Sequence, residues 1–113
     1  MSGVDDPRFL RVELDLDASL GGPAEISVGQ SLWLPFEIRG SGARVDLRVT
    51  ATSDDVMPLS PERLVQLPLI ARSVRVCVEV FGVTPTDVPV QVQITAISDD
   101  GLSQTAAVLV AVA

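Results

Sequence analysis

The segment Val88–Val112, VPVQVQITAISDDGLSQTAAVLVAV, constrains the fold more than any other part of the chain. Val88, Val90, Val92, Ile94 and Ala96 fall at every second position, with Gln91, Gln93 and Thr95 between them. Successive side chains of an extended strand point to opposite faces, so a period of two predicts a half-buried β-strand. Asp99-Asp100-Gly101 then interrupts the run. Asp-Gly between alternating hydrophobics predicts a hairpin through a tight primed turn, because both residues tolerate positive φ. The returning arm, Thr105–Val112, is apolar on both faces, as in a strand covered on both sides.

The same alternation recurs upstream. Phe9–Asp17 directs Leu10, Val12, Leu14 and Leu16 inward, with Arg11, Glu13, Asp15 and Asp17 outward. Ser31–Arg39 buries Leu32, Leu34, Phe36 and Ile38 and leaves Trp33, Pro35, Glu37 and Arg39 on its other face. Pro35 cannot donate to a ladder, which predicts a bulge or a free side there. Ala43–Thr52 sends Val45, Leu47, Val49 and Ala51 inward, and Ser73–Val80 sends Val74, Val76, Val78 and Val80 inward. Glu62–Leu69 is a weaker strand, broken by Pro68, and reads as an edge; Ser53–Pro61 and Gly82–Pro89 read as loops. About seven short strands separated by turn residues, with no helical periodicity, predict an all-β, two-sheet antiparallel β-sandwich, with a small barrel as the other solution. Residues 1–8 are expected to form a flexible N-terminal segment and 9–113 a single domain, large enough to bury a core without disulfides or metal.

Composition removes whole classes of function. The chain has no His, Lys, Tyr or Asn, and all 8 basic residues are Arg. Without His there is no ready general base near neutral pH and no imidazole ligand; without Lys there is no Schiff base. A net charge of -7 argues against nucleic acid and anionic membrane surfaces, which attract basic patches. Cys77 is the one cysteine, so no internal disulfide forms. No apolar run approaches the roughly 18 residues of a spanning helix. The N-terminus, MSGVDDPRF, lacks the basic and apolar regions of a signal peptide. A cytoplasmic location is the default expectation, or an extracellular one if the domain belongs to a larger secreted protein.

The segments ISVGQSLWLPFEI, LSPERLVQLPLIARSVRVCVEV and VPVQVQITAISDDGLSQTAAVLVAV together resemble the immunoglobulin-like accessory modules of bacterial multidomain proteins. The resemblance covers roughly Glu25–Val112 and departs at Ile70 and Arg72, where those modules usually place a Gly-containing turn. It implies an immunoglobulin-like sandwich with a spacer, docking or binding role, and it carries over no functional residue.

Three candidate sites follow from the residues. An immunoglobulin-like topology would place Trp33, Arg75 and Cys77 on the outer face of one sheet, and Trp with Arg is the composition of binding hot spots. The competing structural role for Trp33 is to lie over the first strand, covering the stems of Arg11 or Arg39. Leu109, on the outer face of a strand with no charged residue, marks a second partner surface and a route to self-association through the C-terminal strand. The alternative function is calcium-dependent binding or adhesion, with Asp17, Asp54, Asp55 and Asp87 gathered by loops at one end as hard oxygen ligands; turn-forming Asp explains the same residues without metal. Cys77 has no His to activate it, and no carboxylate pair is nominated by spacing. The expected function is a non-catalytic protein-interaction or structural accessory module, meeting a protein partner or neighbouring domain, with no cofactor unless calcium is bound.

Overall fold

A computed structural model describes residues 8–14 and 24–113. Asp15, Leu16 and Asp17 of the first expected strand, and residues 1–7 of the expected flexible segment, lie outside the described residues. The described chain is all-β and contains no helix. Its strands are β1 (Leu10–Leu14), β2 (Ala24–Ile26), β3 (Ser31–Gly40), β4 (Arg44–Ala51), β5 (Val56–Pro58), β6 (Glu62–Gln66), β7 (Ser73–Gly82), β8 (Val90–Ser98) and β9 (Ser103–Val112). They form two sheets, one ordered β1-β3-β7-β5 and the other β2-β9-β8-β4-β6. Every pairing is antiparallel except β2 with β9.

Alternation places the core. Leu34, Phe36 and Ile38 of β3 and Val76, Val78 and Val80 of β7 come from one sheet. They join Val45 and Leu47 of β4, Val92, Ile94 and Ala96 of β8 and Val110 of β9 from the other. Each fully buried aliphatic of this kind contributes about 1.5–3 kcal/mol. Val12, Leu14, Leu32, Ala51 and Val74 are partly buried against the same cluster, so the expected inward residues of these strands, as far as they are described, do face the core.

Among the described residues nine strands stand where about seven were expected. The two additions, β2 and β5, are three residues each, too short to show a period. β5 falls within the expected Ser53–Pro61 loop, yet Val56 is buried and pairs with Gly82. Val88 is also corrected: β8 begins at Val90 and Val88 is exposed, since Pro89 has no N–H to extend the ladder. Pro35 makes no bulge, because register runs one-to-one through Pro35↔Cys77. The described part of β1 stops one step short of it, at Leu14↔Phe36.

The β8–β9 turn is not primed. Gly101 N donates to Ser98 O at 3.0 Å and Ser98 N to Leu102 O at 2.8 Å, and within the turn only Gly101 has positive φ, 95°. This is a three-residue loop closed by a left-handed glycine. At the other departure from expectation, Arg72 is the one described non-glycine residue with positive φ, 52°. Its guanidinium donates from Nη1 to Ser41 O and Gly42 O, both at 3.2 Å, so the side chain braces a backbone conformation that L-residues disfavour.

Each side of the molecule is closed by two strands that divide its length. At the lower end, where residues 40–43, 67–72 and 99–102 turn, β1 pairs with β3 and β6 with β4. At the upper end, where β4–β5 and β7–β8 connect, β2 pairs with β9 and β5 with β7. Glu62–Gln66 is the edge strand expected of it.

Candidate interaction surface

The outer face of the β1-β3-β7-β5 sheet carries three of the four expected partner residues. Register sets Trp33 opposite Glu79, Pro35 opposite Cys77 and Glu37 opposite Arg75. Trp33 and Cys77 are therefore diagonal neighbours, within reach of a large side chain, and Arg75 lies two residues further along. Trp33 is 58% exposed, and Cys77 and Arg75 are exposed. Trp33 does not cover the arginine stems, because Arg11 pairs with Arg39, six residues along β3 from Trp33, or about 20 Å at the rise of a strand.

Three apolar residues complete this surface. Ser31 pairs with Phe81 and Phe81 with Met57, so Phe81 bridges the Trp33 end of β3 to β5. Met57 and Leu59 are exposed, and Leu59 N extends the β5 edge by donating to Glu79 O at 3.0 Å. The result is an apolar patch of Trp33, Phe81, Met57 and Leu59 with Glu79 in it. Extending the alternation of β7 by one residue would have found Phe81; β5 left no such trace. Towards the lower end the face turns charged, with Glu13 opposite Glu37 and Arg11 opposite Arg39. A Glu37–Arg39 ion pair of 2.6 Å offsets these like-charge pairings.

Leu109 stands apart. It projects from β9, on the other sheet, opposite Gln91, and is 47% exposed. The β9 edge pairs with β2 only over Val110–Val112; among the described residues, β1 runs alongside it without forming a ladder.

Asp54, Asp55 and Asp87 lie at the upper end, in the β4–β5 and β7–β8 connections. Asp55 O accepts from Val83 N at 2.8 Å and from Thr84 N at 3.3 Å, which ties the two loops, and its carboxylate accepts from Ser53 Oγ at 2.9 Å. Asp17 lies outside the described residues, and among those described no group of three or more potential ligand residues could hold a metal ion. An open depression of about 490 Å³ beside β4 and β5 is lined by Val49, Ala51, Asp54, Val56, Met57 and Pro58, among others.

A polar cluster joins the lower-end loops. Ser41 Oγ donates to Asp100 Oδ2 at 2.6 Å, and Ser98 Oγ donates to Asp100 Oδ1. Ala43 N donates to Asp99 Oδ1 at 3.0 Å, Phe9 N to Ser41 Oγ at 2.9 Å and Arg8 Nη1 to Asp100 O at 3.1 Å. Hydrogen bonds from Ser41 and then Ser98 hold the Asp100 carboxyl below the usual carboxylate range. No protein-family model matches the chain, and no curated protein matches it. Among the described residues, no helix is long and apolar enough to cross a membrane.

Proposed function

We propose that the chain is a non-catalytic protein-interaction or structural accessory module built on an immunoglobulin-like β-sandwich. Strand order supports the fold reading: β1-β3-β7-β5 and β4-β8-β9 correspond to the two sheets of that architecture. In sequence, however, β5 on one edge precedes β6 on the other. The observation that carries the function is the patch of Trp33, Met57, Leu59 and Phe81 on a rigid sheet face. An aromatic anchor among apolar neighbours, with a charged margin, is the composition of a binding centre.

The test is capture from the source lysate with the native domain, Trp33→Asp, Met57→Asp and Leu109→Asp. A partner lost with the first two and kept with the third assigns binding to the β3–β7–β5 face. Loss with Leu109→Asp alone moves it to β9. Capture unaffected by any of the three removes the reading.

A further inference from the structure

Trp33 and Glu79 are direct cross-strand partners on the outer face of the β1-β3-β7-β5 sheet. Gly40 N donates to Arg72 O, so the even-numbered residues of β3 are those bonded across to β7. Leu59 N donating to Glu79 O gives the same phase from the β5 side. Trp33↔Glu79 is therefore a non-hydrogen-bonded pair, the closer kind, with Cα atoms about 4.5 Å apart and side chains side by side. The indole is more than half exposed, and Glu79 is half-buried next to it. Among the described residues the Glu79 carboxylate makes no hydrogen bond or ion pair.

The surroundings of that carboxylate are apolar and hold no cation of their own. Leu59 continues the row on the β5 side, so Glu79 stands between Trp33 and Leu59. Phe81 and Met57 form the next row. Arg63 Nη1 donates at 3.4 Å to Cys77 O, and Arg75 stands opposite Glu37. Arg75 lies four residues along β7 from Glu79, or roughly 13 Å at the rise of a strand. The upper end adds Glu25, Asp54, Asp55 and Asp87 and no arginine. A cation at this point meets the face of an aromatic ring and a carboxylate together.

We propose that this surface binds a partner protein through an arginine, its guanidinium stacked on Trp33 and paired with the Glu79 carboxylate. Apolar residues next to that arginine in the partner seat on Phe81, Met57 and Leu59. Arginine fits the pair better than lysine does, because a planar guanidinium stacks on a ring while still donating a fork of N–H groups to a carboxylate. The net charge of -7 and the acidic upper end beside the patch favour a basic segment and speed its encounter at low salt. The inference rests on the reading of this face as the binding surface and adds the chemistry of what binds there.

Trp33 is the one tryptophan and the chain has no tyrosine, so indole emission reports on this surface alone. The titration uses two capped peptides, Ser-Leu-Arg-Phe-Ser and the same sequence with citrulline, which is neutral and of nearly the same shape, in place of arginine. The arginine peptide is expected to change the emission and to bind the native domain about five- to tenfold more tightly than the citrulline peptide, with the preference shrinking as salt is added. Glu79→Gln keeps the shape and removes the charge, and should reduce the preference to about twofold, which the ring alone sustains. Glu79→Ala reads the same loss should Glu79→Gln alter the fold by circular dichroism. No emission change with the arginine peptide, equal binding of the two peptides, or a preference unchanged in Glu79→Gln overturns the proposal. So does emission that changes with the concentration of the domain itself, which would put a second copy on the patch. Any of these failures leaves the proposed function standing where lysate capture still depends on Trp33 and Met57; capture indifferent to both removes the reading on which the proposal rests.

Discussion

The two ends of this molecule solve the same problem, closing turns between strands, with different chemistry. The upper end is closed largely by backbone: Gly82 O and N pair with Gly29 N and Gln30 O, and Val83 N with Asp55 O. At the lower end side chains do much of the work, with Ser41, Asp99, Asp100 and Arg72 each binding a group on another strand or turn and Ser98 holding Asp100 within their own turn. The two ends also differ in charge. Hydrogen bonds from neutral donors leave a carboxylate its charge, so the lower end mixes Asp99 and Asp100 with Arg8, Arg44 and Arg72, whereas the upper end carries Glu25, Asp54, Asp55, Glu79 and Asp87 and no arginine. Asp ties turns together at the lower end, while Asp54 and Asp87 stand exposed at the upper.

The comparison is broken most strongly at two glycines. A Cβ at Gly82 would lie 2.9 Å from Ser27 O and 3.1 Å from both Ile26 Cδ1 and Val112 Cγ1. The first of these is backbone and cannot rotate away, so Gly82→Ala is expected to cost about 2–3 kcal/mol. A Cβ at Gly42 would overlap Ser98 Oγ and Asp99 Oδ1. Those side chains can turn aside by giving up bonds of the lower cluster, so Gly42→Ala is expected to cost less, about 1–2 kcal/mol. Urea midpoints for the pair check the order; a larger loss for Gly42→Ala would mean that the lower cluster is the stiffer end.

Arg72 separates strain from bonding at the lower end. Both Arg72→Ala and Arg72→Gly remove the bonds to Ser41 O and Gly42 O, but only glycine is at ease at φ 52°. After glycine's extra unfolded-chain entropy is discounted, Arg72→Gly is expected to be the more stable of the two by roughly 0.5–1 kcal/mol. Equal melting temperatures would remove the strain from the account.

Asp100 gives the comparison a pH dependence. Its carboxyl is held below the usual range by Ser41 and Ser98, so the folded state favours the ionised form. That contribution is complete above the unfolded-state value of about 3.9 and is lost as pH falls through the depressed folded value. Thermal melts of the native chain and Asp100→Asn should differ at neutral pH, with the gap closing only on acidification below about pH 4. The smallest effect is expected at Trp33. Trp33→Asp replaces an exposed side chain and should shift stability by no more than about 0.5 kcal/mol, whatever it does to binding.

Much of the core was legible in the sequence, because a period of two forces every second residue to one face. Phe36, Ile94 and Val78 needed nothing else to be placed. β2 and β5 were not legible, since three residues carry no period and only pairing with Val110–Val112 and Val80–Gly82 makes them strands. The primed turn expected from Asp-Gly gives way to a three-residue loop because Asp-Gly identity does not specify loop length, and here Asp99 and Asp100 also bond to Ala43 and Ser41 across the lower end. Trp33, Arg75 and Cys77 share a face for the reason periodicity supplies, but Met57 reaches it through a strand the sequence does not announce. The absence of arginine from the upper end depends on the order in which strands are laid beside one another, and no local window contains that.

The central claim, that the β3–β7–β5 face is a binding surface, is tested most directly by watching Met57 in place. In source lysate the methyl signal of 13C-labelled Met57 should shift or broaden in the native domain and stay unmoved in Trp33→Asp. A signal unmoved in both, or moved equally in both, would contradict it.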